Sequence, residues 1–147
     1  MKNKFHFELK KKSYKTYSEK ETFELGLSLG EFLKGDEVLL LTGELGAGKT
    51  VLTKGIAAGL GIEDVNQVCS PSFTLINIYR ARVPIIHIDL YRLNSEDAIT
   101  DLGWEDYLCQ AVIVVEWGEK MHFESSAIHV NIEVEENFSR KITIEKN

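Results

Sequence analysis

The 147-residue sequence contains only two cysteines, Cys69 and Cys109, and they form no C-x-x-C pair. Such sparse cysteine argues against a disulfide framework or a zinc site and favours a reduced, cytosolic setting. No apolar run approaches the roughly 20 residues that a membrane-spanning helix needs, and the first residues contain no apolar signal-peptide block. We therefore expect a cytoplasmic protein without a membrane segment.

Positive charge is scarce outside the first 20 residues. Residues 1–20 hold seven lysines and two glutamates, whereas the remainder holds 10 basic and 21 acidic residues. Because phosphate contacts dominate affinity for nucleic acids, so acidic a body is a poor RNA binder by itself. The lysines at 10–12 are expected to form a solvated loop, with contact to RNA or an acidic partner as the alternative.

Nucleotide-reading and lid motifs are also missing. The chain has no N-K-x-D segment, and its D-L-Y-R at 89–92 is not the D-x-x-G of a GTPase. The arginines are only four, and no inserted arginine-bearing lid of the kind that small-molecule kinases use is apparent. None of them lies within residues 43–50 or 70–74.

Glycine, by contrast, occurs three times within one eight-residue segment. The segment GELGAGKT at 43–50 fits G-x-x-x-x-G-K-[ST], with an apolar stretch before it at 37–42 and an amphipathic stretch after it at 51–60. Glycines let successive backbone N–H groups point at one anion, and a helix N-terminus adds to the attraction. Lys49 can reach the β and γ phosphates, and the Thr50 hydroxyl can ligate Mg²⁺. The segment therefore predicts a site for a nucleoside triphosphate. Because no arginine lies within residues 43–50 or 70–74, we expect slow hydrolysis by the isolated protein and stimulation by a partner.

Two apolar segments end in a carboxylate, IIHID at Asp89 and VIVVE at Glu116. Because the carboxyl ends of parallel strands meet at the ligand crevice, we expect at least one of these acids to ligate or position Mg²⁺. The Ser/Thr-rich turn at 70–74 is either a switch that contacts the γ phosphate or an ordinary turn. His87 is expected to be a core histidine, and Trp117 either a core anchor or a docking aromatic.

The remaining patterns predict the architecture. Ser18 and Glu21 form a capping box at the start of a helix with Leu25, Leu29, Phe32 and Leu33 on one face. Strands are predicted at 5–9, 73–79, 83–89 and 111–115, short helices at 95–108, and a hairpin over 128–144. We expect one α/β domain over residues 1–147, a P-loop NTPase fold: a mainly parallel sheet flanked by helices, with antiparallel edge strands and a C-terminal hairpin.

In the order and spacing of these motifs, the chain resembles the TsaE (YjeE) ATPases of tRNA threonylcarbamoyladenosine synthesis. The similarity covers the capping-box helix and the segments 43–50, 70–75, 87–93 and 116–117. It implies a cytoplasmic ATPase that works with the TsaB–TsaD heterodimer on adenosine 37 of tRNA. In that family TsaD carries out the transfer, so tRNA would be contacted only through the complex. A small-molecule phosphotransferase and a nucleotide-gated binding module stay open as alternatives.

The resemblance also implies roles for individual residues. ATP would be held by the phosphate-loop residues Leu45, Gly46, Ala47, Gly48, Lys49 and Thr50, with further contacts near Glu19 and Arg140. Thr50 and Glu116 would hold Mg²⁺. The implied catalytic residues are Lys49, Ser72 and Asp89, of which Asp89 is needed for hydrolysis. Two positions depart from the family pattern, since Ser72 replaces a more frequent Thr and Gly118 follows Trp117 where Pro is usual.

Overall fold

The computed structural model describes residues 10–44, 46–71, 73–123 and 125–147. Their seven strands, in chain order, are β1 Lys12–Thr16, β2 Val38–Gly43, β3 Ile76–Tyr79, β4 Ile85–Asp89, β5 Val112–Glu116, β6 Ile128–Val134 and β7 Arg140–Lys146. The α-helices are α1 Glu19–Phe32, α2 Lys49–Gly59 and α3 Glu96–Thr100, and short 3₁₀ segments span Val65–Gln67, Trp104–Tyr107 and Gly118–Lys120. No helix in this part of the chain is both long and apolar enough to cross a membrane.

All seven strands belong to one sheet in the order β1-β7-β6-β2-β5-β4-β3. The four central strands β6, β2, β5 and β4 are parallel neighbours, whereas β3 and the β6–β7–β1 side pair antiparallel. The predicted α/β architecture, with its antiparallel edges and C-terminal hairpin, is therefore confirmed. Every residue of β4 and β5 is buried, because helices and loops cover both faces of the sheet centre, and this explains their uninterrupted apolar sequences.

Helix α1 begins at the predicted capping box. The Ser18 hydroxyl accepts the backbone N–H of Glu21 at 3.1 Å, and the Glu21 carboxylate accepts the backbone N–H of Tyr17 at 2.8 Å. Leu25 and Leu29 are buried as expected, but Phe32 is 41% exposed. Phe32 is the last helical residue, and Leu33, which follows it in an extended conformation, is buried.

Helices α1 and α2 cover one face of the sheet and touch through their backbones. Gly26 and Gly30 of α1 lie against Gly55 and Gly59 of α2. A Cβ atom on Gly55 would overlap the carbonyl oxygen of Phe23, so only glycine permits this approach. The close contact fixes α2, and with it the glycine loop that precedes it, against α1.

The opposite face is covered by shorter elements. Helix α3 and the 3₁₀ segment Trp104–Tyr107 lie on either side of Gly103, whose φ of 72° favours glycine. This agrees with the prediction of one or two short helices around Gly103 at 95–108. Ile99 and Trp104 are buried against the sheet. This face therefore has a core of its own, made by short elements rather than long helices.

One strand prediction is not tested by the described residues, and another begins too early in the sequence. The strand predicted at 5–9 lies outside the described residues, and the first described strand, β1, begins at Lys12, within the lysine run expected to be a loop. Only Tyr14 and Thr16 of β1 are buried. The five residues are mostly polar, so their alternation did not indicate a strand in the sequence. The strand predicted at 73–79 begins only at Ile76, because Leu75 adopts a φ of 71° and its N–H bonds to the carbonyl of Pro71 at 2.6 Å.

Candidate functional site

The glycine loop joins the central strand β2 to helix α2, as the motif predicts. Gly46 and Gly48 adopt φ values of 80° and 110°, which other residues reach only with strain, and Gly48 is the N-cap of α2. The loop therefore leads directly into the N-terminus of an 11-residue helix. A helix N-terminus attracts anions, because its backbone N–H groups and the helix dipole both favour negative charge.

A cavity of about 420 Å³ opens in front of this loop. It is lined by phosphate-loop residues, by the ends of two parallel strands and by the segments that follow them: Gly46, Gly48, Lys49, Thr50, Ser70, Asp89, Tyr91, Arg92, Glu116 and Trp117, with Glu19 and Val51 at one side. The structure thus brings together most of the residues that the sequence nominated. Leu45 and Ser72, which were predicted to bind nucleotide and to act in catalysis, lie outside the described residues.

The Lys49 side chain is almost completely buried at the base of the cavity. Its Nζ atom donates to the carbonyl oxygens of Gly43 at 2.5 Å and Glu44 at 2.9 Å, and it lies 4.3 Å from the centre of the Trp117 ring. Burial lowers the pKa of Lys49, whereas the negative charge of Glu116 opposes that shift, with smaller contributions from two other acids. An anion in the cavity would favour the charged ammonium group.

Glu116 and Thr50 meet at the end of β5. The Thr50 hydroxyl lies 3.2 Å from Oε1 and 3.4 Å from Oε2 of Glu116, and the Glu116 side chain is nearly buried. A hydroxyl and a carboxylate are the hard oxygen ligands that Mg²⁺ prefers, so this pair fits the predicted cation. Their distance in sequence is 66 residues, and the register of β2 against β5 brings them together.

The second oxygen of Glu116 is held from behind the site. His87 Nε2 lies 2.6 Å from Glu116 Oε2, and His87 Nδ1 lies 3.1 Å from the Tyr79 hydroxyl. His87 is completely buried, as the sequence suggested, and one of its two hydrogen-bond partners is a residue that lines the cavity. Burial raises the pKa of the Tyr79 phenol, so this hydroxyl keeps its proton at neutral pH.

Asp89 has a different environment from Glu116. Its Oδ2 atom accepts a hydrogen bond from the Ser70 hydroxyl at 2.6 Å, and its Oδ1 atom accepts the backbone N–H of Tyr91 at 2.9 Å. Asp89 is nearly buried, and both it and Ser70 border the cavity. The turn at 70–74 is therefore connected to a strand-end carboxylate, a contact that sequence reasoning did not identify.

Glu19 and Arg140 border a second, adjoining cavity of about 210 Å³. Arg140 donates from Nε to the carbonyl oxygen of Ala47 at 2.9 Å, which ties β7 to the phosphate loop. Glu19 lines both cavities, and Phe138, 81% exposed, stands at the edge of the second. The contacts predicted near Glu19 and Arg140 thus lie on the same side of the loop.

Trp117 lines the main cavity in a strained backbone conformation, with a φ of 60°. Its ring packs against Tyr91 with a centroid distance of 5.1 Å and is half-buried. The next residue, Gly118, is needed for packing, because a Cβ atom there would press into Leu40. Trp117 therefore belongs to the wall of the site, whichever of its two predicted roles it also serves.

Arg92 is a cavity residue that the sequence reasoning passed over. Its guanidinium carbon lies 4.1 Å from the centre of the Phe73 ring, and Phe73 is 80% exposed. The pair connects the segment after β4 to the turn at 70–74. A signal was present in the sequence, because Arg92 follows the Asp89 strand end by three residues, but its reach into the cavity depends on the turn between them.

Taken together, the mixed sheet, the glycine loop between a central strand and a helix, and the strand-end acids define an α/β domain of the phosphate-loop type. A family model described as "Threonylcarbamoyl adenosine biosynthesis protein TsaE" matches residues 16–142. The chain belongs to the TsaE family.

Individual relatives agree with this assignment. The chain is 40% identical over 116 residues to the tRNA threonylcarbamoyladenosine biosynthesis protein TsaE of a Nostoc species, covering 76% of this chain and 70% of that protein. It is 35% identical over 130 residues to the protein of the same name from Treponema pallidum, covering 86% and 95% of the two chains. Among solved structures, Bacillus subtilis YdiB superposes with a TM-score of 0.72 at 30% identity, covering 95% of this chain and 87% of that one.

Proposed function

We propose that the protein is a Mg²⁺-dependent ATPase that takes part in threonylcarbamoyladenosine modification of tRNA, together with a TsaB–TsaD complex. The observation that carries the ATPase proposal is the convergence of Lys49, Thr50, Asp89 and Glu116 on one cavity in front of the glycine loop. Membership of the TsaE family, and the names of the relatives, support the tRNA-modification pathway.

In this proposal the loop amides and Lys49 bind the phosphates. Lys49 would exchange its bonds to the carbonyls of Gly43 and Glu44 for phosphate oxygens, and the N-terminus of α2 adds a favourable dipole. Thr50 and Glu116 would hold Mg²⁺, which neutralises charge on the phosphate oxygens when bound. Glu19 and Arg140 would contact the nucleotide further from the reacting phosphate.

Asp89 would act on the attacking water. Its carboxylate borders the cavity and is oriented by Ser70 and by the Tyr91 backbone, so it can accept a hydrogen bond from a water placed near the γ phosphate. The Ser70 contact makes the turn at 70–74 part of the same arrangement. Ser72 stays a predicted catalytic residue of that turn.

Steady-state phosphate release tests the proposal. The protein is assayed with ATP and Mg²⁺, alone and with TsaB–TsaD, and the same components are then used to modify tRNA with and without it. We expect slow release alone, faster release with the complex, and modified tRNA only when the protein is present.

The other outcomes separate the alternatives. Transfer of labelled phosphate from ATP to a metabolite would favour the small-molecule phosphotransferase. Tight nucleotide binding with negligible phosphate release, even with TsaB–TsaD present, would favour the nucleotide-gated binding module. Modification of tRNA at an equal rate without the protein would contradict the proposed pathway role.

A further inference from the structure

The carboxylate of Glu116 does not present its two oxygens equally to the cavity. Oε2 is 2.6 Å from the Nε2 atom of His87, and Oε1 is the oxygen nearer to the Thr50 hydroxyl, at 3.2 Å. A carboxylate oxygen can only accept, so the hydrogen of this bond is on Nε2 of His87. The shortest contact of Oε2 is thus to the interior of the sheet, with the Thr50 hydroxyl further away at 3.4 Å, and Oε1 is the oxygen nearer to Thr50.

The histidine is held in turn by Tyr79. With the hydrogen on Nε2, the Nδ1 atom of the ring can accept the Tyr79 hydroxyl at 3.1 Å, which is a shorter contact than the other acceptor of that hydroxyl, the carbonyl oxygen of Cys69 at 3.3 Å. The Tyr79 oxygen then accepts the backbone N–H of Cys69 at 3.4 Å and the side-chain amide of Asn77 at 3.3 Å. The chain of contacts runs from the end of β5 through β4 and β3 to the segment 68–71.

Packing holds the side chains of this hydrogen-bonded series in place. His87 is 0% exposed and Tyr79 is 5% exposed, and the two rings are 5.9 Å apart between centroids. A buried hydrogen-bonded side chain has no water to replace a lost partner, so each member strongly favours one rotamer. Ser70, the residue after Cys69, is bonded to Asp89, so the segment 68–71 joins both strand-end acids.

We propose that His87, held by Tyr79, is a positioning residue that turns Glu116 so that Oε1 faces the cation site, and that the same hydrogen bonds fix the segment 68–71 beside Asp89. This inference rests on the proposed function in one respect, the role of Glu116 as a Mg²⁺ ligand. Residues that orient a metal ligand from behind commonly change metal affinity by about 10- to 100-fold when replaced. Neither His87 nor Tyr79 lines the cavity, so both would act through Glu116.

The first test measures the Mg²⁺ concentration that supports half-maximal ADP binding, by titration calorimetry. His87→Leu is expected to raise it by about tenfold or more, while ADP binding in EDTA stays unchanged. His87→Gln places an amide N–H near the Nε2 position and should restore most of the Mg²⁺ dependence. Tyr79→Phe, which removes only a hydroxyl, should raise the concentration a few-fold.

The matched control is His129→Leu, the same change at a half-buried histidine of β6. It should leave the Mg²⁺ dependence as in the wild type. If His87→Leu does not fold, His87→Gln and Tyr79→Phe decide the question. Two results would overturn the positioning role, and in both Tyr79→Phe keeps the wild-type Mg²⁺ dependence. In the first, His87→Leu keeps it as well. In the second, His87→Gln loses the Mg²⁺ dependence instead of restoring it.

The second test needs neither nucleotide nor metal. In a Cys109→Ser background, the rate at which a thiol reagent modifies the exposed Cys69 reports on the segment 68–71. Tyr79→Phe and His87→Leu should raise that rate, because the N–H of Cys69 loses its fixed acceptor, and His129→Leu should not. Equal rates in all variants would overturn the link to the segment.

Failure of the proposed function would look different. If Glu116→Ala binds ADP with the same Mg²⁺ dependence as the wild type, the metal-ligand assignment is wrong, whatever His87 does. If Glu116→Ala loses that dependence but His87→Leu and Tyr79→Phe retain it, only the positioning role is wrong.

Discussion

Glu37 and Glu116 lie at opposite ends of neighbouring parallel strands and show two uses of a partly or fully buried carboxylate. Glu37, just before β2, accepts the backbone N–H groups of Lys34, Gly35 and Asp36 at 2.7, 2.9 and 3.1 Å. Glu116, the last residue of β5, is bonded by side chains and opens onto the cavity.

The difference lies in what satisfies each carboxylate. Burial raises the pKa of Glu37, but the backbone hydrogen bonds together outweigh it, so the pKa is lowered overall and the group stays ionised. Its hydrogen bonds go to the backbone of the turn after α1, which therefore gains stability. Glu116 is instead bonded by the side chains of Thr50 and His87 and lines the main cavity, at the carboxyl ends of the parallel strands where ligands bind in sheets of this kind.

The largest effect is expected at the phosphate loop. Lys49→Ala and Thr50→Ala should each lower partner-stimulated phosphate release at least about 100-fold, roughly 3 kcal/mol of transition-state stabilisation. Lys54→Ala, on the same helix α2 but outside the cavity, is the matched control and should release phosphate at the wild-type rate. Phosphate release at the wild-type rate by Lys49→Ala would contradict the assignment of the glycine loop as the ATP-binding site.

The two strand-end acids should separate next. Glu116→Ala is expected to weaken the Mg²⁺ dependence of nucleotide binding, whereas Asp89→Ala should reduce hydrolysis more than ATP affinity, because Asp89 is bonded to the turn at 70–74 rather than to Thr50. Magnesium titrations of nucleotide binding, with residual turnover measured on the same samples, check this. Identical curves and identical turnover would remove the division of labour.

Partner stimulation is expected to be of intermediate size. The cavity is open and contains one arginine, Arg92, which stacks on Phe73. One contact supplied or rearranged by TsaB–TsaD would raise phosphate release tens-fold, about 2 kcal/mol. Release at saturating ATP is compared with and without the complex, for the wild type and for Arg92→Ala and Arg80→Ala. Equal wild-type rates would mean that the site is complete by itself.

The smallest effect is expected at the opposite end of the sheet. Glu37→Gln should lower the free energy of unfolding by about 1 kcal/mol and leave Mg²⁺-dependent binding unchanged. Because the folded pKa of Glu37 is lowered, its contribution is complete above the unfolded value and is lost as pH falls through the folded value. Denaturant unfolding of both proteins from neutral to acidic pH checks this, and a difference that persists unchanged in acid would contradict the ionic origin.

Much of the fold was readable because its signals are local. A window of about ten residues is enough to recognise each of these features: the apolar runs of β2, β4 and β5, the capping box at Ser18 and the glycine loop. Strand β1 was missed because only Tyr14 and Thr16 face the core, so its pairing with β7 rather than its own sequence makes it a strand.

The sequence by itself determined that a glycine loop, a lysine and two strand-end acids would exist, because each depends on a few neighbouring residues. Only the tertiary structure decided how they are used. His87 meets Glu116 across 29 residues and Ser70 meets Asp89 across 19, because strand register and one turn bring them within hydrogen-bond distance. Register follows from burying the whole sheet at once, and no single segment contains that information.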